Sequence, residues 1–189
     1  MKALLLTMSV GALSLLAAGC ASGRAGGGSG VELARFHLGE PIARAQIAIE
    51  AFDEGDERRP EYPLYAAALE RELTRLGWTV VRTLGQSEQV ALIDVEQGSG
   101  NRIAALSGAR IGRGRSASTA ASSDATITAT LLEVGIKRRS DGTLFWEGRA
   151  VGQARTGSEA AAPGPAADRL AAALFRDFPG ESGRIISVR

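Results

Sequence analysis

Asp94 and Glu96 stand two residues apart in VALIDVEQG, the spacing that places two side chains on one face of a β-strand. Paired carboxylates do the work of glycoside hydrolysis, one delivering a proton while the other activates water or attacks carbon. The same pair on a solvated strand face is ordinary polar surface, and both readings stay open at this level. The single histidine, His37, lies between Phe36 and Leu38. A catalytic imidazole needs a nucleophile and an orienting acid converging on it. Nothing near His37 supplies them, so a structural or edge-strand role is expected. With one histidine and one cysteine, a Cys/His metal centre is out of reach. Asp53, Glu54, Asp56 and Glu57 fall in DEGDERRP, which lacks the D-x-[DN]-x-[DN]-G spacing of a calcium loop. Arg58 and Arg59 follow directly and would oppose a cation, so a solvated loop is expected and no metal or cofactor.

One stretch is compositionally apart. GSGNRIAALSGARIGRGRSASTAASS, residues 98–123, is Gly, Ser, Ala and Arg with only Ile103, Leu106 and Ile111 as large apolar side chains. Its glycines and arginines lack the Gly-Lys-Ser/Thr and strand-to-helix context of a phosphate cradle. Too little apolar surface is present to offset the ordering entropy of so long a segment. It is therefore expected to be a largely mobile insertion, with Arg102, Arg110, Arg113 and Arg115 as candidate contacts to an anionic surface.

These residues need a scaffold, and the surrounding patterns outline one. Strands are expected at residues 35–38, 46–52, 78–83, 90–96, 124–137, 143–155 and 184–188, from alternation and flanking turn residues. Apolar positions in the fifth shift phase at Leu131, which predicts a bulge there. KRRSDGT reads as a hairpin turn centred on Asp141 and Gly142. EYPLYAAALERELTRLGW carries an apolar stripe at helical spacing and a glycine stop at Gly77. A second helix opens at Pro165, with Ala167, Leu170, Ala171, Leu174, Phe175 and Phe178 on one face. Trp78, Trp146, Phe175 and Phe178 are expected in the core. The order β, β, α, β, β, β, β, α, β implies an α+β domain, a mostly antiparallel sheet with two amphipathic helices packed on one face.

The start of the chain gives an address. Lys2 precedes an apolar run from Ala3 to Leu16, then Ala17, Ala18 and Gly19, then Cys20. That run is too short for a relaxed membrane span of about 20 residues. The composite pattern resembles a bacterial lipoprotein signal, with Ala17 where Leu is more usual. The resemblance implies residues 1–19 as signal peptide, cleavage before Cys20, and acylation of its thiol and new amino end. An ordinary secretory peptide leaving Cys20 free is the alternative. Ala21 rather than Asp follows the cysteine, which favours the outer membrane, periplasmic side. Residues 20–30 form a Gly/Ser/Ala tether reaching on the order of 20 Å, and residues 31–189 form the domain.

The chain has 22 Lys+Arg against 21 Asp+Glu. Without Lys2 the balance is neutral, which argues against a nucleic-acid partner held by global charge. YAAALERELTRLGW, VALIDVE, LFWEGRA and FPGESG resemble the exported bacterial lipoproteins that carry the domain of unknown function 4136. That likeness implies an exported α+β domain and no established activity. The resulting expectation is a lipid-anchored, non-enzymatic envelope module binding an envelope protein or anionic lipid. The alternative is an envelope hydrolase acting on peptidoglycan or lipid through the strand carboxylates.

Overall fold

A computed structural model of the chain describes residues 30–82, 85–100, 103 and 126–188. The strands are β1 (Val31–His37), β2 (Gln46–Ala51), β3 (Thr79–Val81), β4 (Gln89–Ser99), β5 (Ile127–Arg138), β6 (Leu144–Arg155) and β7 (Ile185–Val188). Helix α1 is Tyr62–Arg75 and helix α2 is Pro163–Phe175. They build one seven-stranded sheet in the order β3-β2-β4-β5-β6-β1-β7. The sheet is mixed. β2 runs parallel to both β3 and β4, and the remaining pairings are antiparallel. The expectation of a mostly antiparallel sheet therefore misses the parallel unit β2-α1-β3, where a helix carries the chain back to the start of the sheet. The described strands and helices α1 and α2 follow one another in the expected order, with Gly100 and Ile103 also helical after β4, and α1 and α2 pack on one face, where they touch each other and share a single core.

Helix α1 starts with proline in its first turn and buries Tyr65, Ala68, Leu69 and Leu73. Gly77, at φ +99°, ends it, and the Trp78 amide reaches back to the Leu73 carbonyl at 3.0 Å, a C-terminal cap that needs a left-handed residue. Helix α2 buries Ala167, Leu170, Ala171, Leu174 and Phe175. Between the helices and the sheet sits an aromatic cluster. Trp146 stacks on Phe175 with ring centres 5.0 Å apart, and Phe178 lies 5.2 Å from both Trp146 and Trp78. Trp146 is fully buried, so it belongs to the core. Gly148 makes room for it: a Cβ there would press on the indole Cη2 and stand 2.9 Å from Leu174 Cδ1.

One expectation fails on β5. No bulge occurs at Leu131. Pairing with β6 runs unbroken from Ile127 to Ile136, and the irregularity lies between Ile136 and Lys137. The phase change has another cause. Leu132, Val134 and Ile136 face the helices, while Ala129 and Leu131 are buried on the opposite face beside Ile103. A strand covered on both sides reads as a continuous apolar run. The described residues of the expected insertion lie at its start. Gly98 and Ser99 complete β4, paired with Ala129 and Thr128, and Ile103 has no exposed surface. Residues 101, 102 and 104–125 lie outside the described residues. The Asp141-Gly142 turn is as expected. Gly142 has φ +72°, and the Thr143 amide and Arg138 guanidinium hold the Asp141 carboxyl below its ordinary range.

Candidate functional site

The helices cover one face of the sheet, and the chemistry expected from the sequence lies on the other. Strand register sets the rows of that second face, the one away from α1 and α2. One row reads Gly98, Ala129, Gln153. The next reads Glu96, Leu131, Val151, Glu32. The third reads Asp94, Glu133, Arg149, Ala34. Alternation puts Asp94 and Glu96 on the same side, as the sequence implied, and brings them beside Glu133, which sequence reasoning passed over.

The charges here are partly buried and paired. Arg149 Nε meets Glu133 Oε1 at 2.7 Å, and its Nη2 meets Glu147. The Arg149 and Glu133 side chains are only 14% and 13% exposed, so water screens this pair less than an open surface bridge. Arg139 Nη2 lies 2.6 Å from Glu50 Oε1 and its Nε donates to the Ser87 carbonyl at 2.9 Å. Asp94 and Glu96 are half-buried and engaged in interactions of their own. Among the described residues this face carries Glu32, Glu50, Asp94, Glu96, Glu133 and Glu147 together with Lys137, Arg149 and Arg155, and Arg139 reaches Glu50 from the turn after β5.

His37 lies elsewhere and does different work. Its Nδ1 accepts from the Gly39 amide at 3.1 Å, which leaves Nε2 as the donor to the Gly180 carbonyl at 3.0 Å. Both ring nitrogens are thereby used. The same segment is tied down by Trp146 Nε1 donating to the Pro179 carbonyl at 3.0 Å. Arg35, 1% exposed, donates from Nε to the Leu174 carbonyl at 2.8 Å and from Nη2 to the Ala173 carbonyl at 3.0 Å. A cation on the last carbonyls of α2 satisfies groups the helix leaves open and complements its dipole. Burial holds the Arg35 guanidinium below its ordinary range, and Asp177 acts in the other direction. Arg35 was also invisible to sequence reading, because an arginine in a strand reads as exposed.

The acidic stretch after β2 forms a 3-10 turn at Asp56–Arg58. Asp56 pairs with Arg59 at 3.1 Å, and Arg59 Nη1 donates to the Val95 carbonyl at 2.8 Å. Among the described residues no group of three or more His, Cys, Asp or Glu could hold a metal ion. Beside α1 an open depression gathers Arg71, Arg75 and Arg82, but each is paired, with Asp168, Glu72 and Glu70 respectively. Burial pushes the phenols of Tyr62 and Tyr65 up to about 12. Cys20, Arg102, Arg110, Arg113 and Arg115 lie outside the described residues. Among the described residues no helix is long and apolar enough to cross a membrane.

No protein-family model matches the chain, so the likeness to the domain of unknown function 4136 stays a resemblance. An uncharacterized protein of Zymomonas mobilis is 25% identical over 219 aligned positions, covering 84% of this chain and 80% of that one. Among solved structures, a PDZ domain protein from Parabacteroides distasonis aligns with TM-score 0.53 at 13% identity, over 84% of this chain and 39% of that chain. This chain thus spans about two fifths of that protein, and the likeness is one of fold. A PelC dodecamer from Paraburkholderia phytofirmans aligns with TM-score 0.47 at 13% identity, over 76% of this chain and 94% of that one. A lipoprotein candidate from Caulobacter crescentus also stands among the structural neighbours, with TM-score 0.33 and 15% identity, over 70% of this chain and 83% of that one.

Proposed function

We propose that this protein is a lipid-anchored, non-catalytic module of the cell envelope, held at the periplasmic side of the outer membrane through Cys20. The observation that carries this reading is the run from Lys2 to Cys20. Strand β1 begins at Val31, and ten residues separate it from Cys20 in the sequence. Several acyl chains, at about 0.8 kcal/mol per buried methylene, hold essentially irreversibly where one alone does not. Support for a binding or structural role comes from how the candidate reactive groups are used. His37 spends both ring nitrogens on the chain itself, and Glu133, beside Asp94, is bound to Arg149. The arginines at 102, 110, 113 and 115 are proposed to reach anionic headgroups when the domain lies close to the bilayer.

The competing reading is a hydrolase working through Asp94 and Glu96. Exchanging the two acids, Asp94→Glu with Glu96→Asp, keeps both charges but moves each carboxylate by about a methylene. A displacement of that size costs a catalytic pair on the order of a hundredfold and leaves a charged binding face nearly intact. Cells carrying only the exchanged copy are expected to match the wild type in envelope integrity. Loss of function with an unchanged thermal midpoint would establish the hydrolase reading instead.

A further inference from the structure

We propose that Phe36, Leu38, Leu144 and Ile185 form an apolar corner of the sheet that docks on the bilayer to which Cys20 is anchored. Six large apolar side chains are exposed among the described residues, and four of them are these, at 38%, 60%, 43% and 39%. Register brings them together on the face away from α1 and α2. Ile185 pairs with Ala34, and Phe36 is two residues further along β1, on the same side. Leu38 is next in that alternation, its amide donating to the Phe145 carbonyl at 3.3 Å. The irregularity between Ile136 and Lys137 leaves Phe145 out of the pairing with β5, so Leu144 stands opposite Lys137. Leu144 is thereby turned to the same face, where a Cβ on Gly135 would stand 3.0 Å from its Cδ1. Charges around the corner are tied to one another: Glu147 to Arg149, Arg138 to Asp141 and Arg184 to Glu181. A contiguous apolar patch with a polar rim marks an interaction surface.

Size and reach choose the bilayer as the occupant. Four partly exposed side chains offer on the order of 300 Å², well short of the about 800 Å² per partner that a stable protein complex buries. A tethered domain touching its own bilayer needs less, because the contact is intramolecular. Ten residues separate Cys20 from β1 in the sequence. A chain spans at most about 3.6 Å per residue, so β1 can start up to roughly 40 Å from the anchor. Phe36 lies five residues along β1 from Val31, about 17 Å, so the corner is within reach of the membrane. Lys137, opposite Leu144, can lay its stem on the patch and keep its ammonium among the headgroups. Docking of this kind rests on the anchor at Cys20, and the experiment supplies that anchor chemically.

Cys20 is the only cysteine, so the mature chain can be coupled through it to a maleimide-headgroup lipid. The vesicles are phosphatidylcholine with brominated acyl chains, which quench nearby indoles. Leu38→Trp places an indole on the corner. Leu64→Trp places one on α1, across the sheet, where Leu64 is also exposed. Apolar residues at an interface sit about 5–10 Å into the headgroup–acyl boundary, so the added emission of Leu38→Trp is expected to fall about twofold or more. That of Leu64→Trp should be unchanged. Adding Leu144→Asp to the Leu38→Trp chain should restore most of the emission, and Ile185→Asp makes the same comparison if Leu144→Asp fails to fold. Salt at about 0.5 M should leave the quenching in place, because the lipid is neutral and the contact apolar. Quenching of Leu38→Trp no greater than that of Leu64→Trp would overturn the docking, as would quenching that salt removes or that the aspartate leaves untouched. A dimer of the Cys20→Ser chain in light scattering, dissolved by Leu144→Asp, would assign the corner to a second copy and overturn it too. A chain found without lipid in the cell would leave these readouts unchanged, so the two failures separate.

Discussion

Replacing Gly148 with alanine would press a methyl group into the aromatic cluster. Gly148 follows Trp146 by two residues on β6 and shares its face, under α2. The added Cβ would press on Trp146 Cη2 and sit 2.9 Å from both Trp146 Cζ2 and Leu174 Cδ1. Trp146 has nowhere to move, because Phe175 stacks on it at 5.0 Å and its Nε1 is bound to the Pro179 carbonyl. Overpacking of this kind costs about 1–3 kcal/mol. In a domain of this size each kcal/mol lowers the thermal midpoint by about 2–4 °C, so a drop of roughly 2–12 °C is expected. Scanning calorimetry of the Cys20→Ser chain measures it directly. A Gly148→Ala midpoint equal to that of the wild type would refute the packing argument.

Arg35→Met should lower stability by roughly 2–4 kcal/mol in chemical denaturation, since it leaves two buried carbonyls of α2 without donors; an unchanged denaturation midpoint would show that water replaces the guanidinium. Ile103→Ala should cost about 2–4 kcal/mol by emptying a fully buried site, whereas a mobile insertion would lose almost nothing. Tyr62 and Tyr65 are the only tyrosines, and burial raises both from 10.0 to about 12. The folded chain therefore holds their protons longer than the unfolded chain. Their contribution to stability is full below pH 10 and is lost as pH climbs from 10 to about 12. Absorbance at 295 nm should show little tyrosinate before the protein unfolds, and a transition near pH 10 in the folded protein would contradict their burial.

Much of the scaffold was legible because its periodicities were undisturbed. The α2 stripe from Ala167 to Phe178 and the Asp141-Gly142 hairpin depend on local spacing alone. The parallel placement of β2 was not legible, since its short alternating run says nothing about the direction of its neighbours. On β5 the two-sided burial of Leu131 and Leu132 imitated a bulge, because one strand was read without the residue that covers it. The candidate face was half legible. Asp94 and Glu96 announce a shared side through their spacing, but Glu133 and Arg149 join them through register across three strands. Arg35 and the 178–183 segment meet over a long sequence separation, beyond the reach of any local pattern.

The most direct measurement of the central claim is metabolic labelling with an alkyne fatty acid, read together with membrane fractionation. The account predicts that the wild-type protein is labelled and sediments with membranes, and that Cys20→Ser is unlabelled and released into the soluble fraction. Wild-type protein without label would contradict the lipid anchor.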